Sequence, residues 1–517
     1  MSKAWLTAAV VAWSTAAGIL PVAASPLTAE NPAAGPGSVT LLVYDALARP
    51  FSLMDLRAVV ARLLTRVNTR VVTKSAQEVR PDDLRSADYL VWLGTDRRPS
   101  DARLGWVEAG KPVLVCGMPP YEAAAWPGVN GFRKFPPLAE SWRSARFSIG
   151  PAVLNSPASF VLPAAVKEGE SRLLASIAGP ARSDSLAWQN TNTFWFAALP
   201  LEQAVGVALS GILPEFYGIS PGPSAVLLTL EDFHLGCDPG TLRRAADYLA
   251  QKNIPFAVTV RMPSADANAT QVSEFVTALR YAQGRQGRVF LIPGAGKFWD
   301  SKTDQPPSAE DMDAAGNAAE ADVALCLENG VIPLGVRLPD SGVSIDAAAR
   351  VARSFDFGIG AVLPSEATAT ATFIPATITR VAGRLLLVPP GSALGEDNSA
   401  AADFARNLLL VPGSILNVPV PAWLPFEKMS PLLDQAAGLQ AQFLDPGEAA
   451  ASISTPGGAM WTAPSGAPKP DFSGRAMLRT YDFNAQLLSE KEVTADAAAV
   501  VESPAEARFF TLLPWKP

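Results

Sequence analysis

The residues best suited to chemistry crowd into one short stretch. Glu231 and Asp232 close the apolar run 225–230, and His234, Cys237 and Asp238 follow at once. Neighbouring carboxylates suit general acid–base work or cation binding. A histidine and a thiol beside them suit metal ligation or nucleophilic attack. The chain holds one histidine in 517 residues. That count excludes every centre built on two histidines, including His-Glu-x-x-His proteases. A Ser-His-Asp or Cys-His system has only His234 to use. Further along, Arg261, Lys297, Arg337 and Asp340 lie at or after the ends of later apolar runs, and Trp299 and Trp423 stand near two of them. The arginines either hold an anion or pair with Glu231 and Asp340. The indoles either stack on sugar rings or pack between domains.

These residues need strands to carry them. A β/α series starts near residue 220, with strands expected at 224–232, 255–262, 288–292, 331–338, 357–363 and 414–420. Helical spacing fills the gaps, as at 240–253 and 269–282. Six or seven strand–helix units over 222–446 fit a (β/α) barrel, complete or incomplete, with its chemistry at the C-terminal strand ends. An earlier series, 39–215, has strands expected at Val39–Tyr44, 69–73, 87–93 and 112–116, which makes an open α/β sheet. There Cys116 ends a strand in Leu-Val-Cys-Gly-Met. The placement resembles the nucleophile elbow of amidotransferase-like folds. That half of the chain has no histidine to activate a thiol, so the residue reads as a buried core cysteine. After 447 a linker rich in Pro, Gly, Ser and Ala leads to β-like pieces (AMLRTYDF, AAVVES, ARFFTLL), expected as a small β-rich appendage.

Apolar residues make up 49% of the chain and charged residues 18%, enough to bury cores. The net charge of -7 argues against nucleic acid as a partner. Lys3, the apolar stretch 5–20, Pro21 and Val22-Ala23-Ala24 read as an export signal cut after Ala24. The competing reading is an uncleaved anchor. Residues 25–38 read as a linker. No later run has 18 unbroken apolar residues, so no other membrane span is expected. The protein is expected to be secreted or periplasmic. Cys116, Cys237 and Cys326 are too few for a disulfide framework.

The segment TLEDFHLGCDPGTLRRAADYLAQKNIPFAVTVRMP, residues 229–263, resembles the opening of the polysaccharide deacetylase superfamily. It is most similar to a branch described as a domain of unknown function, and the resemblance spans about 222–446. It implies a distorted (β/α)7 barrel holding a divalent metal on one Asp and two His. A metal-bound water attacks an N-acetyl carbonyl, an acidic residue takes the proton, and a late histidine gives one to the leaving amine. The superfamily's Thr-x-Asp-Asp stands here as Thr229-Leu230-Glu231-Asp232. The histidine motifs do not survive. Pro293-Gly294-Ala295-Gly296-Lys297 replaces His-Gly-x-x-His, Pro339-Asp340 replaces Pro-His, and Val420-Pro421 replaces His-Pro. Proline has no donor atom, and a protonated lysine repels a cation. The resemblance therefore implies a barrel whose metal site has been dismantled, with no cofactor. The alternative is a divalent metal such as zinc on Asp232 and His234, helped by Cys237 and Asp238.

Three functions follow as expectations. The first is an exported, metal-free protein that binds a carbohydrate or envelope polymer through His234, Arg261, Lys297, Trp299, Arg337 and Trp423. The second is an active carbohydrate hydrolase, with Glu231, Asp232 and Asp340 as its catalytic set. It would be a deacetylase with an unusual metal loop, or a glycosidase pairing Glu231 with Asp340. Strand neighbours point to opposite faces, which makes Glu231 with Asp232 a poor pair. The third is a structural partner in an envelope or export assembly, docking a protein on the N-terminal domain.

Overall fold

The computed structural model describes residues 38–44, 56–64, 70–94, 110–117, 129–132, 142–159, 165–198, 203–219, 223–293, 309–338, 343–363, 379–391, 405–500 and 504–515, apart from short gaps within those ranges. The export signal lies outside the described residues, as do Lys297, Trp299 and Asp340.

Apolar runs rich in Val, Leu and aromatics form three main sheets, as their β-propensity directs. The first holds β1 (Val39–Tyr44), β2 (Arg70–Ser75), β3 (Tyr89–Gly94), β4 (Val113–Gly117), β5 (Trp142–Ile149), β6 (Ala152–Ser159), β7 (Arg172–Ala178), β8 (Ser183–Asn190) and β9 (Thr193–Phe196). Its order is β2-β1-β3-β4-β9-β8-β7-β5-β6. The strands are parallel through β9 and antiparallel beyond it. Helices α1 (Leu56–Leu64) and α2 (Pro81–Ser86) connect the parallel strands. Cys116 is fully buried on β4.

Helix α3 (Gln203–Phe216) ties this sheet to the next. It is apolar on nearly all sides, packs on the first sheet and touches Val411, in the segment that leads to a strand of the next. A Cβ on Gly211 would lie 2.9 Å from Ile149 and 3.1 Å from Val411. The two sheets share one continuous core.

The second sheet carries the candidate site. Its strands are β10 (Ala225–Phe233), β11 (Phe256–Val260), β12 (Gly287–Leu291), β13 (Pro333–Arg337), β14 (Phe357–Ile359), β15 (Thr379–Val381), β16 (Leu385–Val388) and β17 (Ile415–Pro421). They run in the order β15-β16-β14-β13-β12-β11-β10-β17, and a ninth, two-residue strand, Gln442–Phe443, pairs in parallel with the start of β10. Every neighbouring pair is parallel except β15 with β16. The connecting helices include α4 (Pro239–Gln251), α5 (Ala269–Gln283), α6 (Ala309–Glu328), α7 (Ile345–Val351) and, after β17, α8 (Phe426–Ala437).

No ladder joins the two ends of this sheet among the described residues, so the barrel expected from the sequence takes the form of a curled sheet. The curl is strong. Gly391, just beyond β16, lies so close to β17 that a Cβ on it would sit 2.4 Å from Pro419 Cδ. Only glycine fits there.

The third sheet follows the order β18 (Ser452–Thr455), β19 (Gly458–Thr462), β22 (Phe509–Pro514), β20 (Arg475–Tyr481), β21 (Leu487–Thr494) and is antiparallel throughout. The AAVVES piece departs from expectation. Its first residues belong to a 3₁₀ helix, Ala495–Val500. Alanine has little β-propensity, and the sheet's strands are supplied elsewhere. One buried cation fastens this sheet to the second. Arg288, 2% exposed, makes a two-pronged ion pair with Asp445 at 3.1 and 3.2 Å. Its third nitrogen donates to the Phe483 carbonyl at 3.0 Å. Its guanidinium lies over the rings of Phe483 and Phe509.

Candidate functional site

The site is the C-terminal end of β10 and the loop after it. Leu230 pairs with Val258 and Phe233 with Val260, so β10 has one more residue than β11 over that interval. The surplus forms a bulge, which breaks the face-to-face alternation of a strand. Asp232 absorbs it with φ at +61°, a backbone state that L-residues other than Asn and Asp rarely adopt. Its N–H donates to Thr259 Oγ1 at 2.8 Å.

Because of the bulge, the two neighbouring carboxylates serve two different arginines. Glu231 Oε1 accepts from Arg337 Nε at 3.3 Å and Nη2 at 3.0 Å. Arg337 is 6% exposed and also donates to the Leu338 carbonyl. β10 and β13 have two strands between them, about 14 Å apart on a flat sheet. Curl and long side chains bring their ends into contact. Asp232 takes the other cation: Arg261 Nε meets Oδ1 at 2.5 Å and Nη2 meets Oδ2 at 3.3 Å. The sequence expectation had named Glu231 and Asp340 as the arginines' partners. Arg261 instead finds Asp232, because both lie at the ends of adjacent strands.

Trp423 stands at the same rim. The N–H of its neighbour Ala422 donates to the Glu231 carbonyl at 2.7 Å, and the indole is 58% exposed. Beneath the rim, Thr229 Oγ1 donates to Asn417 Oδ1 at 2.7 Å, and Asn417 Nδ2 has no partner among the described residues. Sequence reasoning passed over Thr259 and Asn417. Their signal was a polar side chain inside an otherwise apolar strand, as in Ile-Leu-Asn-Val.

The loop after β10 uses its polar groups locally. His234 Nδ1 accepts from the Gly236 N–H at 3.0 Å, so a neutral ring carries its proton on Nε2. Cys237 Sγ lies 3.4 Å from the His234 amide and 3.7 Å from the Asp232 carbonyl. Burial pushes this thiol above the ordinary cysteine range, and the Asp232 charge adds to the effect. With Nδ1 already accepting and the thiol held protonated, Cys237 and His234 do not make an activated nucleophile. Asp238 caps α4, accepting from the Gly240 and Thr241 amides and the Thr241 hydroxyl.

A divalent cation does not fit this donor set. Both Asp232 oxygens face a guanidinium, Asp238 is committed to its helix, and the Cys237 sulfur is turned into backbone contacts. Pro293, at one position where the resemblance places a ligand, is buried and offers no donor. Among the described residues no three His, Cys, Asp or Glu side chains come together.

No family model matches the chain. It is 22% identical over 257 residues to an uncharacterized protein, YdaL, of Bacillus subtilis, covering 46% of this chain. The chain spans under half, 44%, of that relative's length. Among solved structures it matches a peptidoglycan N-acetylglucosamine deacetylase, over 42% of this chain and 84% of the other, with 13% identity and a TM-score of 0.24. It also matches a family 4 carbohydrate esterase from Bacillus anthracis, over 43% and 79%, again with 13% identity and a TM-score of 0.24. Scores of this size carry no argument about activity. The chain is similar to these two deacetylase and esterase structures over part of its length.

Proposed function

We propose that this protein binds a carbohydrate polymer at the mouth of the curled sheet and does not hydrolyse it. In this reading the curled sheet is a distorted (β/α)7 barrel of the deacetylase kind, and the protein acts outside the cytoplasm, as its N-terminal pattern leads one to expect. One observation carries the proposal. Where a deacetylase would need a cation beside Asp232, a guanidinium already engages both carboxylate oxygens. The mouth keeps what a sugar needs. Glu231 and Asp232 offer acceptors, Arg261 offers donors, and Trp423 offers an exposed flat face.

The test is glycan binding by the full chain, measured on an array and then by titration. Glu231→Gln should weaken a hit about tenfold, as expected for one lost hydrogen bond to a charged group. Trp423→Ala should do likewise through lost stacking area. Binding indifferent to both substitutions removes the site from this mouth. Elemental analysis of protein purified without chelator decides the competing enzyme reading. An equivalent of metal that disappears in Asp232→Ala would make the protein a metal-dependent hydrolase.

A further inference from the structure

A groove of about 1120 Å³ runs beside α5, and nothing in the site above uses it. It opens at Pro263 and Ser264 and ends at Asn484 and Gln486, in the turn between β20 and β21. Pro263 lies two residues beyond Arg261, so the entrance is within about 8 Å of the Asp232 ion pair's backbone. Helix α5 has 15 residues, which gives the groove's wall about 22 Å of length. The groove's lining thus reaches from near the mouth along α5 to the third sheet.

Four charged side chains line it, two of each sign: Arg280, Arg479, Glu328 and Glu490. Arg479 in the groove is spent on Glu490 and the Leu327 carbonyl. Glu328 also has a partner. Arg280 has neither an ion-pair nor a side-chain hydrogen-bond partner among the described residues. Its guanidinium lies over Gly330, where φ is +67° and a Cβ would sit 3.7 Å from Nε. Gly330 follows the C-terminus of α6, where the helix dipole favours a cation. The helix end therefore holds the cation in place without neutralising it. Around it the lining offers amides and hydroxyls, among them Asn484, Gln486 and Thr277.

We propose that this groove is a second binding site, which holds the distal length of an acidic polysaccharide whose near end lies at the Glu231 mouth. The ligand class rests on the carbohydrate reading above. A long trough with one unpaired cation, side-chain amides and hydroxyls matches a chain that carries hydroxyls along its length and carboxylates at intervals. A neutral chain would leave Arg280 without a counter-charge.

The experiment titrates the full chain with uronate-containing oligosaccharides of increasing length, and with neutral N-acetylhexosamine oligosaccharides as a parallel series. Affinity for the acidic series should rise about tenfold or more from the shortest to the longest, and the rise should shrink with added salt. Arg280→Glu should abolish the rise and leave the shortest ligand unaffected. Thr277→Trp, which fills the groove from an exposed helix position, should do the same. Trp423→Ala should lower affinity at every length. Short-chain binding with no rise, a rise that survives both groove substitutions, or a steeper rise for the neutral series overturns the groove and leaves the mouth standing. A rise lost in Arg280→Glu but indifferent to Trp423→Ala and Glu231→Gln overturns the mouth and keeps the groove. Binding to neither series overturns both.

Discussion

Replacing Asp445 by asparagine should loosen the third sheet from the second. The aspartate accepts two hydrogen bonds from Arg288 and a third from the Gly447 amide at 2.7 Å. Asparagine keeps one carbonyl oxygen for Gly447 but turns an NH₂ group toward the guanidinium. A charge buried to 2% exposure then has no counter-ion. Breaking such a pair from one side costs about 3–5 kcal/mol. The Phe483 carbonyl and the two ring faces keep contributing, which puts the expectation near the low end, about 3 kcal/mol. A chain with several sheets has no single unfolding temperature, so the measurement should be local. Hydrogen exchange of the β20 and β22 amides reports the opening of this sheet. A loss of about 3 kcal/mol speeds that exchange about a hundredfold. Arg288→Met combined with Asp445→Leu removes both charges together and should recover most of the loss. Exchange in Asp445→Asn within about threefold of the parent would refute the reasoning.

Asp238→Ala should cost about 1 kcal/mol at neutral pH, the value of a lost helix cap. Hydrogen bonds from the Thr241 side chain and the Gly240 amide hold this carboxyl below its ordinary range. The stabilisation is therefore present above the unfolded value, about 3.9, and is lost as pH falls through the lower folded value. Urea titrations of parent and variant should converge in acid, and a gap unchanged there would contradict the assignment. Iodoacetamide should modify native Cys237 more slowly than a free thiol near pH 8, because burial disfavours its thiolate. Cys116 and Cys326 are fully buried and should react only on unfolding, which peptide mass spectrometry reads directly.

The second sheet was the most legible part of the sequence. Runs such as Ser-Ala-Val-Leu-Leu-Thr-Leu leave few alternatives to a buried parallel strand, and α4 and α5 fall within two residues of their expected bounds. The hairpins of the first sheet were not legible. β5 and β6 read Trp-Arg-Ser-Ala-Arg-Phe-Ser-Ile and Ala-Val-Leu-Asn-Ser-Pro-Ala-Ser, whose polar residues weaken any periodic signal. At the site, the residue types were readable and their partnerships were not. Strand alternation separates Glu231 from Asp232 and says nothing about a bulge between them. The pairing of Glu231 with Arg337 depends on the curl of the whole sheet, which no local window contains. The same holds for Arg288. In sequence it is an ordinary strand residue, and its buried role depends on Asp445, 157 residues away.

The shared core around α3 bears on how the protein is made. Gly211 of that helix lies against Ile149 of the first sheet and against Val411, which is synthesised some two hundred residues later. Tyr217, just after the helix, is buried with its hydroxyl 3.1 Å from Thr40 Oγ1. During synthesis the first sheet and α3 emerge with one flank still waiting for its cover. A ribosome adding about 5–20 residues per second leaves that flank uncovered for roughly ten to forty seconds. Exposed apolar surface of that lifetime is what holdase chaperones recognise, so the first half of this chain should be their client until the second half arrives.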